Sequence, residues 1–342
     1  MTEFSSESST RVDLAGGTLD LWPLYVFLNG AKTVNLSIDI KTRAHLKPRT
    51  DKHIIIQASI YPPTSANSDA KETTSWSKEY PHIESFLMDN NPLISLVQVL
   101  CRHLSPLTSG FELHFNSDSP VGAGLGGSSS LLITLLKVFF QWKEIAWTVP
   151  FMVELASNLE AQVLHTPTGT QDYYPALQNG LNVIDYQMGQ IQSILHPMAN
   201  SVLKDHLVLV YTGKPHHSGL NNWDVLKRAI EKDQQTLHAL KALKDVSIEM
   251  ESALLHGLWS QIPQLFAREY SYRVRLSDHF SSPRIEELKT LMQKELQIEA
   301  VKICGAGGGG SVLIWVEPEK RPQVIELCNK NNFTILDMYK NS

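Results

Sequence analysis

The segment Ser119-Pro120-Val121-Gly122-Ala123-Gly124-Leu125-Gly126-Gly127-Ser128-Ser129-Ser130 places four glycines and then three serines directly ahead of the apolar run Leu131 to Phe140. Glycines let a backbone approach an anion closely and adopt positive φ, while serine hydroxyls donate to phosphate oxygens or help hold a magnesium ion. Where such a segment turns from a strand into a helix, first-turn N–H groups and the helix dipole converge on one point that favours negative charge. The chemistry implied is phosphate binding. It is not that of a Walker A loop, because no Lys-Ser or Lys-Thr pair closes the segment. Gly122, Gly124 and Gly127 satisfy G-x-G-x-x-G, yet no acidic residue ends a following strand at the distance that dinucleotide sites require.

Other stretches present reactive side chains. Arg11 to Asp20 runs into Gly16-Gly17-Thr18-Leu19-Asp20 and sets an aspartate beside the apolar Leu21-Trp22-Pro23; the same residue types also make an Asx turn or a helix cap. Thr168-Gly169-Thr170-Gln171-Asp172 offers a second aspartate on a turn, where a solvated side chain is the ordinary explanation. Lys302 to Gly310 places five glycines among six residues, too many for an idle turn. His216 and His217 are adjacent, so their side chains diverge, and they have no Cys/His company; a substrate-contacting or exposed loop is expected rather than a metal site.

The elements that must position these residues follow from periodicity. Phe111, Leu113 and Phe115 alternate with polar residues as in a half-buried strand, and Leu131 to Trp142 is apolar almost all round, as in a buried helix. The glycine loop thus has a strand before it and a helix after it. Thr33 to Ile40 reads as a strand, and Lys41 to Ile60 as a second strand or hairpin turning around Pro48 to Lys52. Tyr61 to Glu79, polar and rich in Ser, Thr and Pro, reads as a surface loop, either a plain insertion or a lid. Helices are expected over Asn91–His103 and over Pro150–His165, the latter with Met152, Leu155, Ala156 and Leu159 inward and Glu154 and Glu160 among its polar positions. Gly180 to Tyr186 is a short strand, Met188 to Asn200 a hairpin and linker, and Leu207 to Thr212 a strand ending at Gly213. Helical patterns follow over Asn221–Lys244, Ile248–His256 and Trp259–Tyr270, and another begins after Ser282-Pro283 and runs to Glu295. Ser311 to Val316 is the last strong strand.

Composition narrows the function classes. At 342 residues the chain can hold two modest domains, and 42% apolar with 19% charged residues describes an ordinary globular protein. A net charge of -5 argues against nucleic acid and suits a small metabolite. Cys101, Cys304 and Cys328 are too few and too scattered for a disulfide framework or a zinc site, so a reducing compartment is expected. The polar, serine-rich first ten residues lack the apolar core of a signal peptide, and the run Leu131 to Phe140 contains Lys137 and is too short to span a membrane. A cytoplasmic location is expected.

Together, the three glycine-bearing segments resemble the three signature motifs of the GHMP kinases, the superfamily of galactokinase, homoserine kinase, mevalonate kinase and phosphomevalonate kinase. The likeness covers nearly the whole chain. Pro120 to Ser130 is similar to the family's P-x-G-x-G-L-G-S-S-A, with Gly127 where the first serine is usual, and Lys302 to Gly310 is similar to K-x-x-G-A-G-G-G-G. Arg11 to Asp20 resembles R-I-x-x-A-G-G-x-T-D of the sugar-kinase branch, most of all D-glycero-D-manno-heptose 7-phosphate kinases and the kinase part of L-fucose kinases. Ser9-Thr10 replaces the usual Ala-Pro, and a short first strand is expected. Gly169 to Asp172 resembles the family's G-x-Q-D element.

The resemblance implies an α+β, two-domain GHMP kinase fold. Residues 1–200 would form a ribosomal-S5-like domain with a left-handed βαβ unit, residues 201–342 a ferredoxin-like domain, and the active site would lie in the cleft between them. It further implies an ATP- and Mg2+-dependent kinase acting on a hydroxyl of a sugar or sugar phosphate, heptose 7-phosphate-like or hexose. Pro120, Gly122, Gly124, Leu125, Gly126, Gly127, Ser128 and Ser129 would hold the nucleotide, and Ser128 and Glu160 the magnesium. Asp172 would accept or orient the acceptor proton, Arg11 would stabilise the transferring phosphoryl group, and Gly17, Thr18, Asp20, Gly213, Gly307 and Gly308 would meet the acceptor. Neither nucleic acid nor a membrane is an expected partner, and a homodimer is compatible.

Two other readings share the fold: a mevalonate-pathway kinase or decarboxylase, and a catalytically silent sensor of nucleotide or sugar. Arg11, Ser128, Glu160 and Asp172 standing together disfavour the sensor, and Gly-Gly-Thr-Leu-Asp disfavours the decarboxylase. Lys214 to Asn222 departs from heptose kinases, which carry Thr-Gly and a nearby arginine there, so the acceptor stays open.

Overall fold

The computed structural model describes residues 2–60, 74–196, 200–215, 218–305 and 307–339. The first unit begins with β1 (Phe4–Ala15), which pairs antiparallel with β2 (Ala31–Pro48) across the short helix α1 (Leu24–Phe27). β3 (Ile54–Ile60), β4 (Thr74–Tyr80), α2 (Ile83–Leu87), α3 (Ser95–His103) and β5 (Phe111–Ser117) follow. Then come α4 (Gly127–Lys143), α5 (Val149–Leu164), α6 (Tyr173–Leu177), β6 (Leu181–Gln187) and β7 (Gln190–His196). The strands form one sheet in the order β4-β3-β5-β2-β6-β7, with β1 added against β2; only β3 and β5 run parallel.

The second unit contains α7 (Asn200–His206), β8 (Leu207–Tyr211), α8 (Ser218–Ile230), α9 (Gln234–Leu255), α10 (Ile262–Arg273), α11 (Pro283–Leu296), β9 (Val301–Ile303), β10 (Ser311–Trp315), α12 (Arg321–Lys330) and β11 (Thr334–Leu336). Its sheet is fully antiparallel in the order β11-β8-β10-β9, the arrangement of a ferredoxin-like βαββαβ unit.

Four expectations change. The first strand is long, not short, because Phe4 to Thr10 also pair with β2, across a register shift between Ser9 and Thr10. Thr33–Ile40 and Lys41–Pro48 are one strand, whose buried-and-half-buried alternation continues without a break across Lys41. Within the expected loop Tyr61–Glu79, residues 74–79 belong to β4, an edge strand whose polar outer face imitates a loop; residues 61–73 lie outside the described residues. The helical stretch Asn221–Lys244 breaks before Asp233, whose side chain accepts from the Thr236 N–H at 2.8 Å and starts α9 afresh; α9 then runs unbroken to Leu255 and absorbs most of the expected helix Ile248–His256.

Two apolar clusters hold the units. In one, α4 sits on β1 and β2 with Leu132, Leu135, Leu136, Phe139 and Phe140 buried, which explains why that helix needs no polar stripe. In the other, Val12, Leu14, Val34 and Leu36 of the first sheet meet Leu209, Met250, Phe266 and Leu313 of the second unit. β1 and β2 therefore belong to both cores, and the ends of these strands are fixed relative to both units. Among the described residues no helix is long and apolar enough to cross a membrane.

Candidate active site

The start of α4 is fixed from below. Thr42 Oγ1 on β2 meets Ser130 Oγ at 2.9 Å and Thr134 Oγ1 at 2.8 Å, so Ser130 faces the sheet. Ser128 is exposed and, with Ser129, lines a cavity of about 630 Å³. Ahead of them Gly122, Gly124 and Gly126 all take left-handed φ of 68°, 74° and 69°, a conformation that side-chain-bearing residues rarely adopt. Gly127, the departure from the family pattern, has its place explained by Ser119, whose Cβ and Oγ would each lie 3.3 Å from an added Cβ.

The terminal glycine segment braces this loop. Ser311 N–H donates to Ala123 O at 2.8 Å, and a Cβ on Gly305 would stand 2.9 Å from the Gly124 backbone. On the other side Arg11 N–H donates to Leu125 O at 3.0 Å, and Arg11 Nη1 donates to Gly124 O. The cradle is thus clamped between β1 and the second unit, which preorganises its N–H groups for an anion.

Arg11 also reaches Asp172, with Nε at 2.8 Å and Nη2 at 2.7 Å from Oδ1. Burial opposes the charge on the guanidinium, but Asp172 and then Asp13 outweigh it and hold Arg11 more firmly protonated than usual. Asp172 immediately precedes the short α6 and is half-buried at the cavity wall, with Oδ2 beside Gly126. Asp20 lies on the same wall. Its Oδ2 accepts from Gln171 N–H at 3.0 Å, and a Cβ on Gly169 would fall 2.0 Å from that oxygen, so only glycine fits at 169. Burial pushes the Asp20 carboxyl up to about 6, against the Gln171 hydrogen bond and with added repulsion from Asp172.

Glu160 projects from α5 and is buried, although helical spacing placed it among polar positions. Its Oε2 accepts from Ser129 Oγ at 2.7 Å and from Tyr173 Oη at 2.6 Å. Burial raises its pKa, offset in part by the hydroxyls of Ser128, Tyr173 and Ser129. The charged group that acts on it most is Asp172, of like sign, so a cation beside Glu160 would be favoured. Among the described residues no cluster of three or more His, Cys, Asp or Glu side chains could hold a metal unaided. One carboxylate, hydroxyls and the oxygens of a bound phosphate are a donor set that suits magnesium, and Glu160 with Ser128 fits it.

Arg11, Thr18, Asp20, Asp172, Glu160 and the segment Pro120 to Ser129 all line the one cavity, together with Asn222 and Gly305 of the second unit. Gly17, Gly213, Gly307 and Gly308 do not line it. Gly17 rests on Arg273 and Asp13, and Gly307 rests against Phe280, whose carbonyl accepts from Gly308 N–H at 2.8 Å. The residues flanking Gly213 bond instead to Gly310, whose carbonyl takes Thr212 N–H and whose N–H reaches Lys214 O. Gly17 and Gly307 thus stand where an added side chain would collide with its neighbours. His216 and His217 lie outside the described residues. Gln171 and Tyr173 are further site residues: Gln171 is the glutamine of the G-x-Q-D element, and the sequence signal for Tyr173 is its adjacency to Asp172. The cavity lining also includes the apolar side chains of Pro92, Leu93, Leu96, Phe115, Leu131 and Leu164.

The chain matches the family model described as GHMP kinases N terminal domain over residues 91–180 and that described as GHMP kinases C terminal over residues 251–333, together just over half its length. It is 26% identical to D-glycero-alpha-D-manno-heptose 7-phosphate kinase of Campylobacter jejuni, over 98% of this chain and 96% of that one. It is 25% identical to L-fucokinase/L-fucose-1-P guanylyltransferase of Bacteroides fragilis over 95% of its own length, but it spans only 36% of that longer protein. Among solved structures, a D-glycero-D-manno-heptose 1-phosphate kinase from Bacteroides thetaiotaomicron superposes with a TM-score of 0.71 at 21% identity, covering 98% of this chain and 95% of that one. Galactokinase of Lactococcus lactis, solved with galactose, has a TM-score of 0.73 at 15% identity, with coverage of 98% and 93%. The clamped glycine cradle, the Arg11–Asp172 pair and the two sheets thus stand in the setting these matches share, and the chain belongs to the GHMP kinase family of phosphotransferases with a hydroxyl acceptor.

Proposed function

We propose that this protein transfers the γ-phosphate of ATP, with magnesium, to a hydroxyl of a sugar or sugar phosphate, heptose 7-phosphate-like or hexose. Residues 1–200 supply the donor cradle and both aspartates, and residues 201–342 supply its brace. The observation that carries the reading is the Arg11–Asp172 pair, set between the phosphate cradle at Gly124 to Ser129 and the buried Asp20. The 26% likeness to a heptose 7-phosphate kinase along nearly the full length of both chains supports a sugar phosphate acceptor.

In this reading the apolar side chains of the cavity lining take the base, and the first turn of α4 takes the β- and γ-phosphates. Glu160 and Ser128 hold magnesium, which when bound offsets negative charge on the phosphates. Arg11 stabilises charge that develops on the moving phosphoryl group, as its guanidinium already faces the cradle through Gly124 O. Asp172 orients the acceptor hydroxyl and takes its proton, and Asp20 accepts from a second hydroxyl. Phosphoryl transfer depends mainly on such positioning and charge stabilisation.

The test is ATP consumption over a panel of hexoses, D-glycero-D-manno-heptose phosphates and mevalonate. Turnover with a sugar or sugar phosphate is expected. Turnover with mevalonate alone, carbon dioxide release from mevalonate diphosphate, or ATP binding with no transfer to any acceptor would overturn the proposal.

A further inference from the structure

Beneath the turn that carries Asp20 lies a closed group of four ionisable side chains, each at most 1% exposed: Asp13 on β1, Glu269 and Arg273 on α10, and Lys302 on β9. Two acids face two bases, so the group is balanced. Lys302 Nζ donates to Asp13 Oδ1 at 2.8 Å and to Asp13 O at 2.7 Å. Arg273 Nη2 donates to Asp13 Oδ2 at 3.3 Å and, with Nε, to Glu269 Oε1. Glu269 Oε2 has no hydrogen-bond partner, and Lys302 Nζ stands 3.9 Å from it.

A buried ionic group is poor at stabilising a fold, since well-packed apolar residues of like volume often do as well or better. This one has an outlet. Arg273 Nη1 donates to Thr18 Oγ1 at 3.0 Å, and Thr18 lines the cavity that Arg273 does not reach. Thr18 has φ of 75°, a conformation β-branched residues seldom adopt, so something must hold it there. Gly17 leaves room for this arrangement: a Cβ there would lie 2.4 Å from Arg273 Nη2 and 2.5 Å from Asp13 Oδ2. From Thr18 the turn continues through Leu19 N–H to Gly16 O at 3.1 Å and Leu21 N–H to Thr18 O at 3.3 Å, with Asp20 between them.

We propose that Arg273, fixed by Asp13, Glu269 and Lys302, is a positioning residue of the acceptor site: its bond to Thr18 holds the Gly16–Leu21 turn and thereby sets where Asp20 stands. Arg273 then controls acceptor affinity without itself lining the cavity. The proposal rests on the reading that Asp20 meets the acceptor, and its test is arranged to separate the two.

The full chain is compared with Arg273→Lys, which keeps the charge balance but loses the planar fork, and with Thr18→Val, which removes only the hydroxyl. Thr18→Ser, which restores it, is the rescue. Three quantities are read: amide hydrogen exchange at Leu19 and Leu21, the Kd for magnesium-ADP, and KM and kcat with D-glycero-D-manno-heptose 7-phosphate. Exchange at Leu19 and Leu21 is expected to speed up at least about tenfold in Arg273→Lys and Thr18→Val and to return toward the wild-type rate in Thr18→Ser, with the ADP Kd changed less than about twofold. KM for the heptose phosphate should rise about tenfold while kcat changes less. Unaltered exchange in Thr18→Val, or an equal loss of ADP and acceptor binding that follows global stability, overturns the proposal. If Arg273→Lys fails to fold, Thr18→Val tests the same bond from its other end. Exchange and ADP binding need no acceptor, so they decide the matter even where the wild-type chain leaves the heptose phosphate untouched, a result that would count against the proposed substrate alone.

Discussion

Both contacts from Arg11 to Asp172 fall on a single carboxylate oxygen, Oδ1, while Oδ2 lies beside Gly126 at the mouth of the phosphate cradle. One oxygen is thus committed to fixing the side chain, and the other faces the place where donor and acceptor would meet. The arrangement fixes the aspartate through one oxygen and leaves the other clear of Arg11.

Arg11 bonds Asp172 and Gly124 O at once, which needs a planar fork. Arg11→Lys keeps the charge but cannot span both partners. We expect kcat to fall by about 10²–10³-fold, the loss usual for a transition-state donor. Steady-state kinetics on the variant, with its melting temperature measured alongside, checks this; a kcat within a few-fold of wild type would show that the bridge is structural.

The brace at Gly305 makes a separate claim. Its φ is 64°, and an added Cβ would lie 2.9 Å from Gly124 backbone atoms. Gly305→Ala should impose strain of about 1–3 kcal/mol where the two glycine loops meet. Because the cradle is the part displaced, magnesium-ADP affinity should weaken about tenfold or more, measured by calorimetry. Unchanged affinity would mean that the cradle does not depend on this contact.

Asp20 predicts a pH dependence. Its carboxyl titrates at about 6 in the fold, raised first by burial, against about 3.9 in an unfolded chain. The sign for stability is that its contribution is fully present below about 3.9 and lost as pH rises through about 6. For activity the ionised form is the better acceptor of a sugar hydroxyl, so kcat/KM for the acceptor should climb with pH through about 6. Asp20→Asn should abolish that limb and lower kcat/KM; a limb that persists in the variant belongs to another group.

Much of the site was legible because its signals are local. Gly122 to Ser130 between an alternating strand and an apolar helix can be read from one short stretch, and Asp172 stands within its own turn. What could not be read was set by partners far away in sequence. Glu160 occupies a polar helical position, yet it is buried because Ser129 and Tyr173 close over it. Gly307 and Gly308 resemble ligand-binding glycines, but their close neighbour is Phe280, and Gly305 and Gly310 press on the Gly122–Gly124 backbone. Arg273 sits in an ordinary amphipathic helix and gives no hint that it bonds Thr18 across 255 positions. The differences in the fold have the same origin: β4 is polar because it is an edge, and the break before α9 is fixed by the cap at Asp233.

The central claim is that Asp172 is the residue at which the acceptor hydroxyl is activated, and substitution by its amide tests it most directly. Transfer of labelled γ-phosphate from ATP to D-glycero-D-manno-heptose 7-phosphate, or to whichever sugar the panel identifies, is measured for the wild-type chain and for Asp172→Asn, with ADP affinity measured in parallel. The account predicts a kcat lower by at least about a hundredfold in the variant with ADP affinity nearly unchanged. Near-normal transfer by Asp172→Asn would contradict it.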